Sequence, residues 1–374
     1  MMRFPVVVLL LVLAASGSGE VRPSRFQSRD AWAIDAARLR VTIMKSGGHI
    51  AEIVLKDKDA VNPLWVQNRP TIDASDYDPA KHERSYGGGS GARLMSGLVG
   101  HNLCFPYWGN PSASETRAGM TYHGEAGITM WRQVTARQDE ITVTAEFPES
   151  RTRFTRTVRV SDQIAYFDST GENLAAWDRV LGWCEHATIG PPFLEREQTL
   201  MDASLTRGRM EKQEFTWPSG RAEKPIDLRK VRSLQGHGFV NNFLVDPARQ
   251  YGFWAAVNPR LRLLFGYVFP RADYPWLNIW EANEAAMLTR GMEFSNTPVH
   301  GTLKTLLREP QLFGLPAFEW LDARSSLRKR FAAFSARVPE GYRGVADVSI
   351  HSGKLEIAER ESGRRITLPF DPRW

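Results

Sequence analysis

The sequence predicts an all-β protein of antiparallel strands with few short helices. Three observations predict it. Short runs that alternate apolar and polar residues recur along most of the chain. Turn signals built from Gly, Pro, Asn and Ser separate these runs at short spacing. Helical periodicity is sparse, and strands do not alternate with long helices as they do in parallel α/β sheets. That combination describes a sandwich or a barrel.

In chain order, residues 1–20 read as a secretory signal. Arg3 supplies a short positive region, 6–15 is an unbroken apolar run, and Ser16, Gly17, Ser18 and Gly19 are small residues suited to cleavage. The run is shorter than the roughly 20 residues of a membrane span, and no later stretch could cross a bilayer. Residues 21–374 are expected as one domain in the periplasm or secreted. Residues 38–44 and 50–55 predict a hairpin around Gly47-Gly48. Residues 68–91 and 211–231 read as long loops of the kind that carry binding or lid functions.

Ile141, Val143, Ala145 and Phe147 alternate with Thr142, Thr144 and Glu146, which puts one strand face in a core. Residues 151–160 and 163–168 predict the next two strands, joined at Ser161-Asp162. Residues 251–257 and 261–269 pair around Asn258-Pro259. The best helical signal is 323–337, where Leu327, Phe331 and Phe334 fall on one face and Asp322 or Ser325 could cap the start. Three short strands, 346–350, 355–358 and 365–368, close the chain around Ser352-Gly353 and Ser362-Gly363.

Composition narrows the function classes. The formal charge of +6 comes from Lys and Arg spread along the chain, with no basic run or basic helix that would track phosphates. Nucleic acid is therefore not an expected partner. The 12 Trp supply flat apolar faces with one N–H donor each, suited to sugar C–H faces, although most should serve the core. Cys104 and Cys184 are the only cysteines. An oxidising compartment permits a disulfide between them, and two buried thiols fit equally well. Phosphate loop, nucleophile elbow, zincin helix and zinc-site spacing are all missing. Chemistry must then come from scattered polar residues.

Three segments carry candidates. His123, in Thr121-Tyr122-His123-Gly124-Glu125-Ala126-Gly127 with Trp131 downstream, can reach a ligand because Gly124 leaves room beside it; a turn histidine is the plainer reading. Glu185 and His186 are adjacent in an expected strand, so they should face opposite sides, with one toward a ligand. Glu293 lies between apolar residues, where a carboxylate is costly without a partner. It is either a general base or a structural charge paired, for instance, with Arg290. Trp280 and Glu281 add an aromatic and a second carboxylate, Trp108 in Phe105-Pro106-Tyr107-Trp108-Gly109 adds aromatic surface, and His237 is a weaker polar candidate.

Taken in order, these segments resemble the galactose mutarotase (aldose 1-epimerase) family. The Gly47-Gly48-x-Ile50 hairpin, the 105–109 segment, the His123-Gly124 element with Trp131, the second histidine at 186 and the late Glu293 occur in the family's sequence order, over about 36–335. The resemblance implies a galactose mutarotase-like β-supersandwich with an open sugar site. It implies Glu293 as base on the anomeric hydroxyl, His186 as acid on the ring oxygen, and His123 contacting the ring oxygen or orienting the sugar. Trp108, Trp131, Glu185, His237 and Trp280 would contact substrate. No metal or organic cofactor is implied, and the partner would be a free sugar or the sugar end of an oligosaccharide. Some positions depart from the family. Glu185-His186-Ala187-Thr188 replaces an Asn-His-Thr-Tyr type of segment, Gly109-Asn110-Pro111 stands where an Arg is usual, and His237 falls near the place of a sugar-binding Asp. These departures point to a remote branch. Other functions occur on such a fold, including a non-catalytic carbohydrate-binding protein and a polysaccharide lyase or hydrolase.

Overall fold

Period-2 burial organises the chain into two large antiparallel sheets. The computed structural model describes residues 19–220, 226–232, 236–284, 287–298 and 301–374, with the side chains of 236–239 and 303 outside that description. All but the last two residues of the expected signal also lie outside it. No described helix is long and apolar enough to cross a membrane.

Eleven strands form the first sheet. Its order is Glu20–Phe26, Arg29–Asp35, Leu39–Met44, Ile50–Leu55, His101–Cys104, Cys184–Ile189, Leu288–Ser295, Trp276–Asn283, Gly236–Val245, Leu205–Met210, Gln213–Thr216. Eight strands form the second, ordered Leu200–Ala203, Tyr251–Asn258, Leu263–Pro270, Ser326–Arg337, Ile164–Asn173, Thr152–Ser161, Glu140–Phe147, Arg132–Ala136. Val41, Ile53 and Leu103 of the first sheet meet Val143, Phe154, Phe265 and Phe331 of the second in the main core. Each such fully buried large side chain contributes about 1.5–3 kcal/mol. A three-stranded sheet, Val345–His351, Lys354–Glu359 and Arg365–Pro369, covers the outer face of the second sheet. There Val348, Leu355 and Ile357 pack with Phe253, Val268 and Phe334.

The strands expected around Gly47-Gly48, Ser161-Asp162 and Asn258-Pro259 form as antiparallel pairs, as do the three C-terminal strands. The helix expected over 323–337 does not form. That segment is the strand Ser326–Arg337, central in the second sheet. Phe331 and Ala333 face the main core, while Ala332, Phe334 and Ala336 face the C-terminal sheet. Burial on both faces erases the polar alternation that marks a half-buried strand, and the surviving apolar spacing mimics a helix. The 68–91 segment is more ordered than a loop. It holds the helix Pro79–Tyr86, whose first turn is capped by Asp78 accepting from the Ala80 N–H. In 211–231, Gln213–Thr216 forms a strand and 221–225 lie outside the described residues.

The Gly47-Gly48 turn needs its glycines. Both have positive φ, +85° and +58°, and a Cβ on Gly48 would stand 2.5 Å from the Trp131 ring. Trp131 thus clamps the hairpin. Its indole donates to Ala126 O at 3.1 Å and packs on Phe147 and Phe154. His49, just after the turn, is fully buried, and neither ring nitrogen makes an aligned hydrogen bond. Burial, with the Arg29 charge, pushes it down to about 3. The unfolded chain therefore takes up this proton near pH 6.5 and the folded chain only near 3. Stability from this group is fully present above pH 6.5 and is lost as pH falls toward 3, at up to about 1.4 kcal/mol per unit. We expect urea unfolding free energy to decline between pH 6.5 and 5, and His49→Gln to flatten that decline. An equal slope in the variant removes His49 as the cause.

Candidate active site

Four neighbouring strands of the eleven-stranded sheet build the site: His101–Cys104, Cys184–Ile189, Leu288–Ser295 and Trp276–Asn283. Their register aligns Asn102, His186, Glu293 and Asn278 in one row across the sheet. Cross-strand partners share a face, so all four project away from the inter-sheet core. One step along, the row is Thr188, Gly291, Trp280 and Val240. One step the other way it is Cys104, Cys184, Ser295 and Trp276. The two cysteines therefore face each other as buried, free thiols, and burial pushes both up.

Above these rows lies a cavity of about 320 Å³, whose lining includes Asn102, Trp108, His123, His186, Trp280 and Glu293. His186 Nε2 stands 2.8 Å from Glu293 Oε1, and both side chains are nearly buried. The approach is too oblique for an aligned hydrogen bond, so Oε1 is a buried carboxylate oxygen with unused acceptor capacity. His186 Nδ1 lies 3.3 Å from the Thr188 hydroxyl. The pairing of Glu293 with Arg290 does not occur. Arg290 is fully buried, pairs with Glu281 and donates to Leu228 O at 2.8 Å.

His123 enters the cavity from a tight turn. Its φ of +63° is unusual for a residue with a side chain, and strain of this kind tends to collect at functional sites. The Thr121 hydroxyl donates to Gly124 O, and the Gly124 N–H donates to Thr121 O at 3.0 Å. A Cβ on Gly124 would lie 2.5 Å from Phe105 O, so this turn docks on the 105–109 segment only with glycine there. The Gly109 N–H donates to His123 Nδ1 at 3.2 Å. A neutral His123 thus keeps its proton on Nε2. Its ring sits 5.3 Å from that of His186. Burial, helped by the Glu293 charge, pushes the Tyr122 phenol up, so it remains a neutral donor beside them.

Trp280 owes its position to Gly291. A Cβ on Gly291 would fall 1.8 Å from the indole Nε1. The indole therefore lies over a bare stretch of backbone, 5.9 Å from the His186 ring. A half-buried, flat apolar face thus stands beside the His186–Glu293 contact.

No family model matches the chain, and no curated protein matches it. Solved structures do. A candidate aldose 1-epimerase of Klebsiella pneumoniae superposes with a TM-score of 0.64 at 13% identity, over 83% of this chain and 80% of that one. A galactose mutarotase-like protein of Clostridium acetobutylicum gives 0.60 at 11%, over 86% and 99%. A galactose mutarotase related enzyme of Lactobacillus acidophilus gives 0.57 at 12%, over 83% and 99%. The chain has the galactose mutarotase-like fold.

On this galactose mutarotase-like fold the structure brings His123, His186, Glu293, Trp108 and Trp280 to one cavity. Two expected contacts lie elsewhere. Trp131 is held against the hairpin and the core, as described. Glu185 points the opposite way from His186, into the space between the sheets, where it is fully buried. There it accepts from His101 Nε2 at 2.9 Å, from Trp183 Nε1 at 2.9 Å and from Arg156. Burial pushes the Glu185 carboxyl up, but the Arg156 charge and the donated bonds outweigh it and hold it low. Burial pushes His101 down, so it is neutral and takes the Tyr267 hydroxyl proton bond on Nδ1 at 3.1 Å. His237 lies in the strand Gly236–Val245, and its side chain is outside the described residues. Asn102 and Trp65, which both line the cavity, and Gly291 beneath Trp280 were not expected. Only their register or cavity position marks them, because no motif surrounds them in sequence.

A second cavity, of about 290 Å³, lies against the C-terminal sheet. Of the acids that line it, Asp202 pairs with Arg360 and Asp227 with Arg229. It has no acid/base pair of the kind seen at Glu293.

Proposed function

We propose that this chain is an aldose 1-epimerase-like enzyme that interconverts sugar anomers by acid/base ring opening. The cross-strand contact of His186 with Glu293, inside a cavity that also holds His123, is the observation that carries the reading. The anomeric hydroxyl and the ring oxygen hang on the same carbon, so their catalysts must sit close together, as neighbouring strand positions do. Glu293 removes the hydroxyl proton while His186 Nε2 delivers a proton to the ring oxygen. The C1–O5 bond breaks as the C1 carbonyl forms. Rotation about C1–C2 exposes the other carbonyl face, and closure returns both protons. A Thr188 hydroxyl that donates to Nδ1 favours the proton on Nε2, and His123 Nε2–H offers a second donor near the ring oxygen. This step needs neither a metal nor an organic cofactor.

The test is exchange NMR of α and β signals for a panel of free aldoses. Acceleration over the buffer rate is expected for at least one. Shift changes on binding with no acceleration for any sugar would replace the enzyme with a carbohydrate-binding protein. The Glu293 carboxylate in the cavity lining, with the neighbouring Arg290 already paired to Glu281, speaks against a uronate-cleaving lyase, whose substrate is anionic. We also propose that 1–20 is removed on export to the periplasm or medium. N-terminal sequencing of mature protein from the native host tests that.

Gly291→Ala gives a sharper test of the sugar platform. The new Cβ displaces Trp280 and leaves the His186–Glu293 pair in its strands. We expect sugar affinity to weaken about tenfold, about 1.4 kcal/mol, by isothermal titration. Unaltered affinity would mean that Trp280 does not bear the sugar.

A further inference from the structure

We infer that the sugar this site takes is neutral and carries a small apolar group in place of one hydroxyl, as a 6-deoxyhexose does. The inference rests on the sugar-epimerase reading above and concerns the part of the cavity away from the acid/base pair. Leu94, Met95 and Leu98, from the helix Ala92–Gly97 and its exit, form one apolar wall of the cavity. Val240 and Met287 form another, and they are 45% and 38% exposed. Large apolar side chains left in water at a cavity rim gain when a ligand covers them.

Each hydroxyl of an ordinary hexose needs hydrogen-bond partners once it leaves water, and an unpaired one is penalised. Leu, Met and Val supply none. His123, His186 and Glu293 are committed to C1 and the ring oxygen, and the further polar groups Asn102 and Tyr122 stand beside those histidines rather than on the apolar walls. A methyl group against Leu98 and Val240 replaces that penalty with apolar contact. Charge restricts the ligand further. Among the described lining residues the charged groups are Glu281 and Glu293; Glu281 is offset by the neighbouring Arg290, which leaves Glu293 as the carboxylate without a cationic Arg or Lys partner. A uronate or a sugar phosphate would meet like charge. The volume of about 320 Å³ is at the small end of ligand cavities and suits one substituted ring.

The experiment compares kcat/KM for anomer interconversion of 6-deoxygalactose with galactose, 6-deoxymannose with mannose, and galacturonate, by exchange NMR. The deoxy member of at least one pair is expected to exceed its parent about tenfold, and galacturonate to stay at the buffer rate. Leu98→Asn should bring the ratio back toward one. Val240→Thr, on the exposed rim, is a second variant that should move it the same way should Leu98→Asn fold poorly. Equal or reversed ratios in wild type, with interconversion still catalysed, overturn this inference and leave the epimerase reading standing. Absence of turnover for every sugar overturns the epimerase reading instead. Quenching of tryptophan fluorescence by the same sugars then decides the preference, and equal affinities, or binding of neither member, overturn it.

Discussion

Glu293→Gln lowers kcat for anomer interconversion by about a thousandfold, the middle of the range for loss of a general base, while unfolding free energy in urea stays within about 1 kcal/mol of wild type. The amide fills the space of the carboxylate. Little native bonding is lost, because Glu293 Oε1 has no aligned donor. What disappears is the ability to take a proton, and the amide nitrogen presents hydrogens where the anomeric hydroxyl needs an acceptor. The effect should fall on kcat rather than KM, since the lost interaction strengthens only as the proton moves. Exchange NMR at several sugar concentrations separates the two. An unchanged kcat would remove Glu293 from the chemistry and return it to a structural role beside His186.

Arg156→Met destabilises the fold by about 3–5 kcal/mol, the usual cost of stranding one buried charge. Arg156 and Glu185 are both fully buried between the sheets, and the arginine also donates to Ser169 Oγ at 3.0 Å. Without the guanidinium, Glu185 retains only neutral donors, His101, Trp183 and the more distant Tyr274 hydroxyl, and must protonate or open the core. The double variant Arg156→Met/Glu185→Gln should recover a large part of the loss. Its neutral side-chain oxygen still accepts from His101 or Trp183, and no charge remains to solvate. Urea unfolding of wild type, both single variants and the double variant closes the cycle. A single Arg156→Met variant as stable as wild type would show that water reaches Glu185 and that the charge is not isolated.

Much of the fold was legible because most strands bury one face and join through tight turns. The Thr152–Ser161 strand alternates burial residue by residue, and its sequence shows it. Legibility failed at Ser326–Arg337, where both faces are buried and Phe331, Ala332, Ala333 and Phe334 run on without a polar partner. The site was legible as single residues, and their assembly was not. Asn102, His186, Glu293 and Asn278 come from four distant parts of the chain, and only strand register joins them. Adjacency alone showed that Glu185 and His186 must part. Which of them faced the cavity depended on Arg156 and His101 waiting on the other side. Gly291 is invisible in sequence as a site residue because its role is to be absent beneath an indole.

The C-terminal sheet has a consequence for how the chain acquires its structure. Until residues 345–370 are in place, Phe253, Val268 and Phe334 line a greasy outer wall with nothing over it. A chain made or threaded from its N-terminus reaches this covering only after the wall it covers. That wall is apolar surface in any state of the chain in which 345–370 are not docked. The candidate cavity lies on the far sheet, and no residue of that covering segment lines it.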